Sequence, residues 1–595
     1  MLRNQQGDLR VYIEDVARFC ARRCFRGSAR DHGAVRGAAS EPSLTKPINA
    51  TKDDLNPGRT YGTPFFAQDP SNSRTIVAGF IEFRTRSCGL MRSTDSGTTW
   101  KILVDSPPAL KSYPYCLANN SNIFHAPLAF GRNGDLYLAT QAWDTPDSRN
   151  KVSVQVAKSS NLGDSWTTVL AHDSRPTADA EQTNDRPVTG IVVDRDRGSQ
   201  DIVYVTVCQG FPNTSAPNSR IQRPVMLISR DAGATFEAPV VIPGDYWEKN
   251  PANIERAISS RTTLANTTTT LAAAGSLGEK LANPANYGSA GNGQGLVMDN
   301  RGTLYYGWLT ASANITPSVP SSLLVSKSTD QGRTWTSTEV QPAAYNNRQN
   351  ARLAWTPGGG SQGTVHLVWE YSPRPEIASY AEATYVRSTD GGATWSEPKR
   401  LPDSDPAALQ GSYLPNVQVA PNGRLDAVWW DTRNDPGVRA NDVYYAYSTD
   451  HGETWSKNYR ITDQSIDRRF GVYGNNFDQN GPPGMLSTNE YALFGWDDTR
   501  NSRDDTATGV QASDPVRGEG LGIGGGVQDI FVAAAQFEAI GGGASKAAKI
   551  VFAGVIGLLA VGLALTVVAL LSRKRVGGAP APPKPAKQAP AEAKS

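Results

Sequence analysis

The stretches STDSGTTW (93–100), SSNLGDSW (159–166), SRDAGATF (229–236), STDQGRTW (328–335), STDGGATW (388–395) and STDHGETW (448–455) decide the fold. All six follow S-x-D-x-G-x-T-W with small variations. Each spacing reads as a tight hairpin. The aspartate accepts bonds from backbone N–H groups, the glycine supplies a positive φ, and the final aromatic packs between strands. The last three start sixty residues apart, at Ser328, Ser388 and Ser448. Six ordered copies are an internal repeat, and a repeat of this length means a stack or ring of similar units.

Working outward, each motif follows a strand-like run, as in SLLVSKSTD (322–330) and DVYYAYSTD (442–450). Before that run stands another apolar one: TLYYGWLTA (303–311), TVHLVWEYS (364–372) or LDAVWWDTR (425–433). Near the end, YALFGWDDTR (491–500) and DIFVAAAQF (529–537) make a seventh pair that lacks the motif. Seven pairs favour seven units, with six as the alternative. The seventh lacks an outer strand, and Leu44 to Thr51 is the segment expected to supply it and close the ring.

The chain has 595 residues, 38% hydrophobic and 19% charged, with a net charge of +2. That balance excludes the basic excess of a nucleic-acid binder. Of five cysteines, Cys88 and Cys116 are candidates for a bridge, Cys208 lies in an apolar run, and Cys20 and Cys24 have no metal-ligating neighbours. Ile550 to Leu571 is uncharged and long enough to span a hydrocarbon core of roughly 30 Å. Arg573, Lys574 and Arg575 follow it, so the tail is expected inside and the preceding residues outside. Residues 1–40 contain no apolar signal core. The expected order is an N-terminal segment 1–43, a repeat domain 44–540, a linker 541–549, one membrane helix 550–571 and a Pro/Ala/Lys-rich tail 572–595. The Ala/Thr/Leu-rich insertion within 241–294 is expected to be partly helical.

The motif resembles the Asp box, or BNR repeat, of sialidase-type β-propellers, over roughly residues 55–540. The resemblance implies an all-β propeller of four-stranded antiparallel blades, with the boxes as scaffold on one face. Ligand chemistry would sit near the axis on the other face. It also implies an arginine triad around a sugar carboxylate, since guanidinium forks match that anion, a Tyr–Glu pair as nucleophile and base, and an aspartic acid.

Arg186 (NDRPVTGIVVD), Arg352 (NARLAWTP) and Arg469 (DRRFGVYG) are the triad candidates, each where an inner strand should begin. As loop arginines they should matter little to stability. Glu370 and Tyr371 end TVHLVWEY, Tyr413 opens the next inner strand, and Asp144 in QAWDTPD is the candidate acid. Arg433 and Arg500 repeat in WWDTRND and WDDTRN, either as substrate contacts or as local salt bridges. The first unit reads RTYGTPFFAQDP (59–70) where sialidases carry Arg-Ile-Pro. Two readings therefore stay open: a membrane-anchored extracellular sialidase-type hydrolase, or a non-catalytic propeller that binds glycans or proteins. Neither needs a metal or cofactor, and the sequence says nothing about oligomeric state.

Overall fold

A computed structural model describes residues 41–538 apart from 53–59, 84–86, 105–109, 115, 117–125, 144–151, 174–187, 213–219, 244–294, 310–319, 346–350, 374–379, 409, 436–438, 468–469, 471–480 and 503–527. Seven antiparallel sheets follow one another along Pro42–Ala539. From the axis outward, blade 1 is Tyr61–Gln68, Ile76–Glu82, Ser87–Ser93 and Lys101–Val104. Blade 2 is Leu128–Phe130, Leu136–Trp143, Val152–Ser159 and Thr167–Asp173. Blade 3 is Val188–Asp194, Ile202–Pro212, Arg220–Ser229 and Val240–Val241. Blade 4 is Gly295–Met298, Leu304–Leu309, Pro320–Ser328 and Thr336–Tyr345. Blade 5 is Arg352–Thr356, Thr364–Tyr371, Glu382–Ser388 and Lys399–Arg400. Blade 6 is Ser412–Val419, Leu425–Asp431, Ala440–Ser448 and Tyr459–Arg460.

Blade 7 takes three strands from the C-terminal side: Gly484–Ser487, Tyr491–Asp498 and Asp529–Gln536. Its outer edge is covered from the other end of the domain, where Ser43–Leu44 and Ile48–Asn49 pair antiparallel with Asp529–Gln536. Closure by the segment before blade 1 thus holds, with pairing from Ser43 onward. Innermost strands lie against one another in sequence, and Gly484–Ser487 meets Tyr61–Gln68, so the ring is closed with seven blades. Closure leaves no unpaired edge at the junction.

The core lies between blades, in layers. Blades 3 and 4 share Tyr204, Met226 and Ile228 with Tyr306, Trp308 and Leu324. Blades 5 and 6 share Val368 and Tyr385 with Val417 and Trp429. Close packing at the axis demands small residues: a Cβ on Gly484 would fall 2.1 Å from the Pro64 carbonyl oxygen of blade 1.

The boxes form as their spacing predicts. In blade 5, Asp390 Oδ1 accepts from Ser388 Oγ (2.7 Å) and the Thr394 amide (2.9 Å), and Oδ2 accepts from Thr394 Oγ1 (2.6 Å). The box glycine sits on the preceding blade. A Cβ at Gly452 (φ 79°) would lie 1.8 Å from Tyr385 Oη.

Cys88 and Cys116 are disulfide-bonded, 28 residues apart, and Cys208 is free and buried. Among the described residues no helix is long and apolar enough to cross a membrane. The expected span 550–571, the segment 1–40, Cys20, Cys24 and most of the 241–294 insertion lie outside them.

Candidate functional site

Strand order sorts the two faces. The boxes join third to fourth strands, so they share one face with the turns between first and second strands. Ends of second strands and starts of innermost strands lie on the opposite face. Arg352, Glu370, Tyr371, Tyr413, Arg433 and Arg500 all belong to that opposite face. Arg186, Arg469 and Asp144 lie outside the described residues, so of the proposed triad only Arg352 is placed.

Arg352 is the first residue of the innermost strand of blade 5, paired with Val368, and is 8% exposed. Its guanidinium carbon lies 5.9 Å from the ring centre of Phe65 in the innermost strand of blade 1. Those blades are not neighbours, so the side chain reaches across the axial channel. Burial lowers its pKa to about 9, still charged at neutral pH. The expectation that it would behave as a loosely held loop arginine is corrected. The innermost strands approach so closely here that a residue starting one of them is enclosed.

Glu370, in the second strand of blade 5, is buried, and its Oε1 accepts from the Leu414 amide of blade 6 at 2.7 Å. Leu414 has φ 50°. It lies within the irregular pairing between Tyr413 and Asn416, where the innermost strand of blade 6 departs from register with its neighbour. Six other non-glycine residues among those described have positive φ: Ser96, Leu162, Ala232, Gln331 and His451 in boxes, and Asn133 in a turn on the same face as the boxes. Leu414 is therefore the exception on the opposite face.

Tyr413 is half-buried, and its hydroxyl accepts from Asn441 Nδ2 at 2.6 Å. Asn441 belongs to the third strand of the same blade, two interstrand spacings of roughly 4.8 Å from the innermost one. The phenol therefore runs outward across the second strand, away from the axis. Tyr371 is also half-buried, with its ring centre 6.3 Å from that of Trp369. The structure thus brings Glu370 to the residue after Tyr413 and directs the Tyr413 hydroxyl elsewhere.

Arg433 and Arg500 occupy equivalent networks. Arg433 Nη2 donates to Asp431 Oδ2 (2.7 Å) and Nη1 to Asp403 (2.6 Å), with the guanidinium 4.0 Å from the centre of Tyr444. Arg500 Nη2 meets Asp498 and Asp463, both at 2.8 Å, and the guanidinium lies 4.2 Å over Phe531. Trp429 and Trp496 donate their indole N–H to the same aspartates, Asp431 and Asp498, at 3.0 and 2.9 Å. Thr432 and Thr499 donate to the carbonyls of Gly411 and Asp467. W-x-D-T-R is thus a module that ties the end of a second strand to its surroundings. For both arginines burial works against the charge, but the partner carboxylates outweigh it and hold the pKa above the ordinary value.

Sequence reading missed Asn441 and Leu414. Their one visible sign is Leu414-Pro415, because proline cannot donate to a ladder and marks an interrupted strand. It also missed Glu382–Arg400 (2.8 Å) and Asp442–Arg460 (2.8 Å), ion pairs joining third to outer strands in blades 5 and 6. Among the described residues no group of three or more His, Cys, Asp or Glu could hold a metal.

A family model described as BNR/Asp-box repeat matches residues 446–457. No curated protein matches the chain in sequence. Among solved structures, a protein of unknown function from Dyadobacter fermentans is 13% identical, with 72% of this chain and 96% of that one covered, at a TM-score of 0.40. The Hadza microbial sialidase Hz136 is 13% identical, covering 77% and 73%, at 0.37. A Penicillium chrysogenum alpha-L-arabinanase bound to arabinobiose is 15% identical, covering 69% and 100%, at 0.39.

Proposed function

Since the chain is an Asp-box repeat β-propeller, we propose that it is a sialidase-type glycoside hydrolase displayed outside the cell, acting on a carboxylated sugar at the face opposite the boxes. The buried Arg352 guanidinium beside the axis carries this reading. A charge removed from water gains most from an anion that arrives with matching geometry. Arg186 and Arg469 complete the carboxylate clamp in this reading. The Tyr371 oxygen bonds to the anomeric carbon as its phenol proton passes to solvent, while the glycosidic C–O bond breaks and Asp144 protonates the leaving oxygen. Water then adds to the same carbon, displacing the Tyr371 oxygen, which takes a proton back. The segment 550–571 anchors the propeller to the membrane, with the Arg-Lys-Arg tail inside.

A second reading has support of its own. Glu370 is committed to a backbone amide, and the Tyr413 hydroxyl points away from the axis. Both facts suit a propeller that binds an acidic glycan without cleaving it. Fluorophore release from an aryl sialoside by the purified full-length protein, run beside other aryl glycosides, separates the two. Release supports the hydrolase. Saturable binding of a sialylated oligosaccharide without release supports the binder, and the absence of both release and binding would reject both readings. Protease added to intact cells should remove the propeller and spare the tail.

A further inference from the structure

We propose that Glu370 is a positioning residue, which holds Leu414 in the left-handed conformation and so sets the start of the blade 6 innermost strand at the ligand face. The inference rests on the reading above that this face takes the ligand. It departs from the role of general base that the sialidase resemblance implies for this glutamate.

Three observations carry it. Leucine at φ 50° is held in an unfavourable conformation, because Cβ crowds the following carbonyl. Such a conformation persists where its surroundings enforce it, and the enforcing contact is visible: Glu370 Oε1 meets the Leu414 amide at 2.7 Å. The contact crosses from one blade to the next, between residues 44 apart in sequence. It is therefore a tie at the seam of blades 5 and 6 and not a local turn bond. Finally, the residue before Leu414 is Tyr413, whose hydroxyl is taken by Asn441. With the backbone pinned on one side and the hydroxyl on the other, the tyrosine has one direction, outward over the second strand. Every other positive-φ non-glycine residue described belongs to the opposite, structural face. Strain on the ligand face, bridged by a buried carboxylate, marks this seam as a site where backbone shape matters.

A positioning role and a base role predict different behaviour for the same substitution. Glutamine keeps an oxygen that can accept from the Leu414 amide but cannot take a proton as a carboxylate does. The full-length protein is compared with Glu370→Gln and Glu370→Ala in two measurements. Hydrogen exchange at the Leu414 amide is expected to remain slow in the parent and Glu370→Gln, and to quicken at least tenfold in Glu370→Ala. Turnover or affinity for the sialoside is expected to fall tenfold or more in Glu370→Ala, with most of that loss recovered in Glu370→Gln. The shape of the pH–rate profile should be the same in parent and Glu370→Gln. Loss of turnover in Glu370→Gln with the Leu414 amide still protected would make Glu370 the base and overturn the proposal. Equal amide exchange in all three proteins would overturn it as well. If the parent neither cleaves nor binds a glycan, the functional reading fails, yet the exchange comparison still decides whether Glu370 holds Leu414. If Glu370→Ala does not fold, Glu370→Met, which keeps the volume but offers no acceptor, takes its place in both measurements.

Discussion

Arg387, in the third strand of blade 5, donates from Nη1 to the carbonyl oxygen of His451, in the box of blade 6, at 2.9 Å. The same relation joins Arg92 to the Leu162 carbonyl (3.2 Å), Arg230 to Gln331 (3.3 Å) and Lys327 to Gly391 (3.0 Å). In each case the acceptor is the left-handed residue of the next box, with φ of 59°, 61° and 72°, and 58° at His451. Left-handed backbone there turns one carbonyl toward the preceding blade, where a cation beside that blade's own box serine receives it. Between blades 2 and 3 the Tyr137 hydroxyl stands in the cation's place, 3.3 Å from the Ala232 carbonyl oxygen and 3.0 Å from Asp201 Oδ2. The box is thus both a hairpin and a socket for its neighbour.

Arg387→Ala should lower stability by about 1.5–2 kcal/mol, the lower part of the range for hydrogen bonds to charged groups because Arg387 is partly exposed. Urea unfolding of the full chain checks this. Lysine should recover part of the loss, since Lys327 makes the equivalent bond in blade 4. No change at all would mean that the clamps are surface contacts of no consequence.

Acid should weaken the boxes. At Asp390, slight burial pushes the pKa up, but bonds from Thr394, Ser388 and the Ala393 amide outweigh it and bring it to about 2. A carboxylate depressed in the folded state stabilises fully above its unfolded value, near 3.8. That contribution is lost as pH falls toward about 2. Asp390→Asn should fold, because Asn161 already serves in blade 2, accepting from the Ser165 amide at 2.8 Å and donating to Ser165 Oγ. The variant should be less stable than the parent at pH 7, and the gap should narrow between pH 4 and 2. A gap that widens with acid would reverse the sign argued here.

Much of this architecture is legible in the sequence because it is written locally. Ser93-x-Asp95-x-Gly97 contains its own hydrogen-bond partners within a few residues, and the second strands read as unbroken apolar runs because they are buried along their whole length. The closing strand was legible for a different reason: an incomplete seventh blade demands an edge partner. The tie between Glu370 and Leu414 had no such signature. Its partners come from different blades, and only the close approach of innermost strands brings them together. Arg433 and Arg500 were legible as a repeated phrase, but the phrase is compatible with either ligand contact or scaffold. Their stacking on Tyr444 and Phe531 depends on third strands whose register cannot be read from D-T-R itself.

The Cys88–Cys116 disulfide closes a loop of 28 residues. Chain entropy assigns such a loop about 3.5 kcal/mol. Cys88→Ala combined with Cys116→Ala should therefore lower the unfolding midpoint by several degrees. Among the described residues only the buried Cys208 is then left, to react with a thiol reagent after unfolding. Labelling of Cys88 and Cys116 themselves, located by peptide mapping after unfolding without reductant, would show that the bridge does not form.

Arg352 offers the most direct test of the ligand face. Because the side chain is enclosed and faces Phe65 across the axis, alanine would remove packing as well as charge, and a loss of binding would be ambiguous. Methionine separates the two: it keeps much of the volume, and it removes the cost of burying a charge, so folding should be retained or improved. Affinity for a sialylated oligosaccharide should nevertheless fall by about 1.5–3 kcal/mol, the scale of a charged hydrogen bond lost to the ligand. Arg352→Lys should regain only part, because a point charge cannot form the planar fork that a carboxylate accepts. Titration calorimetry on the three proteins reads these differences directly. If Arg352→Met binds the acidic sugar as the parent does, the buried guanidinium serves the channel and not the ligand. The carboxylate clamp would then have to be sought in Arg186 and Arg469 alone.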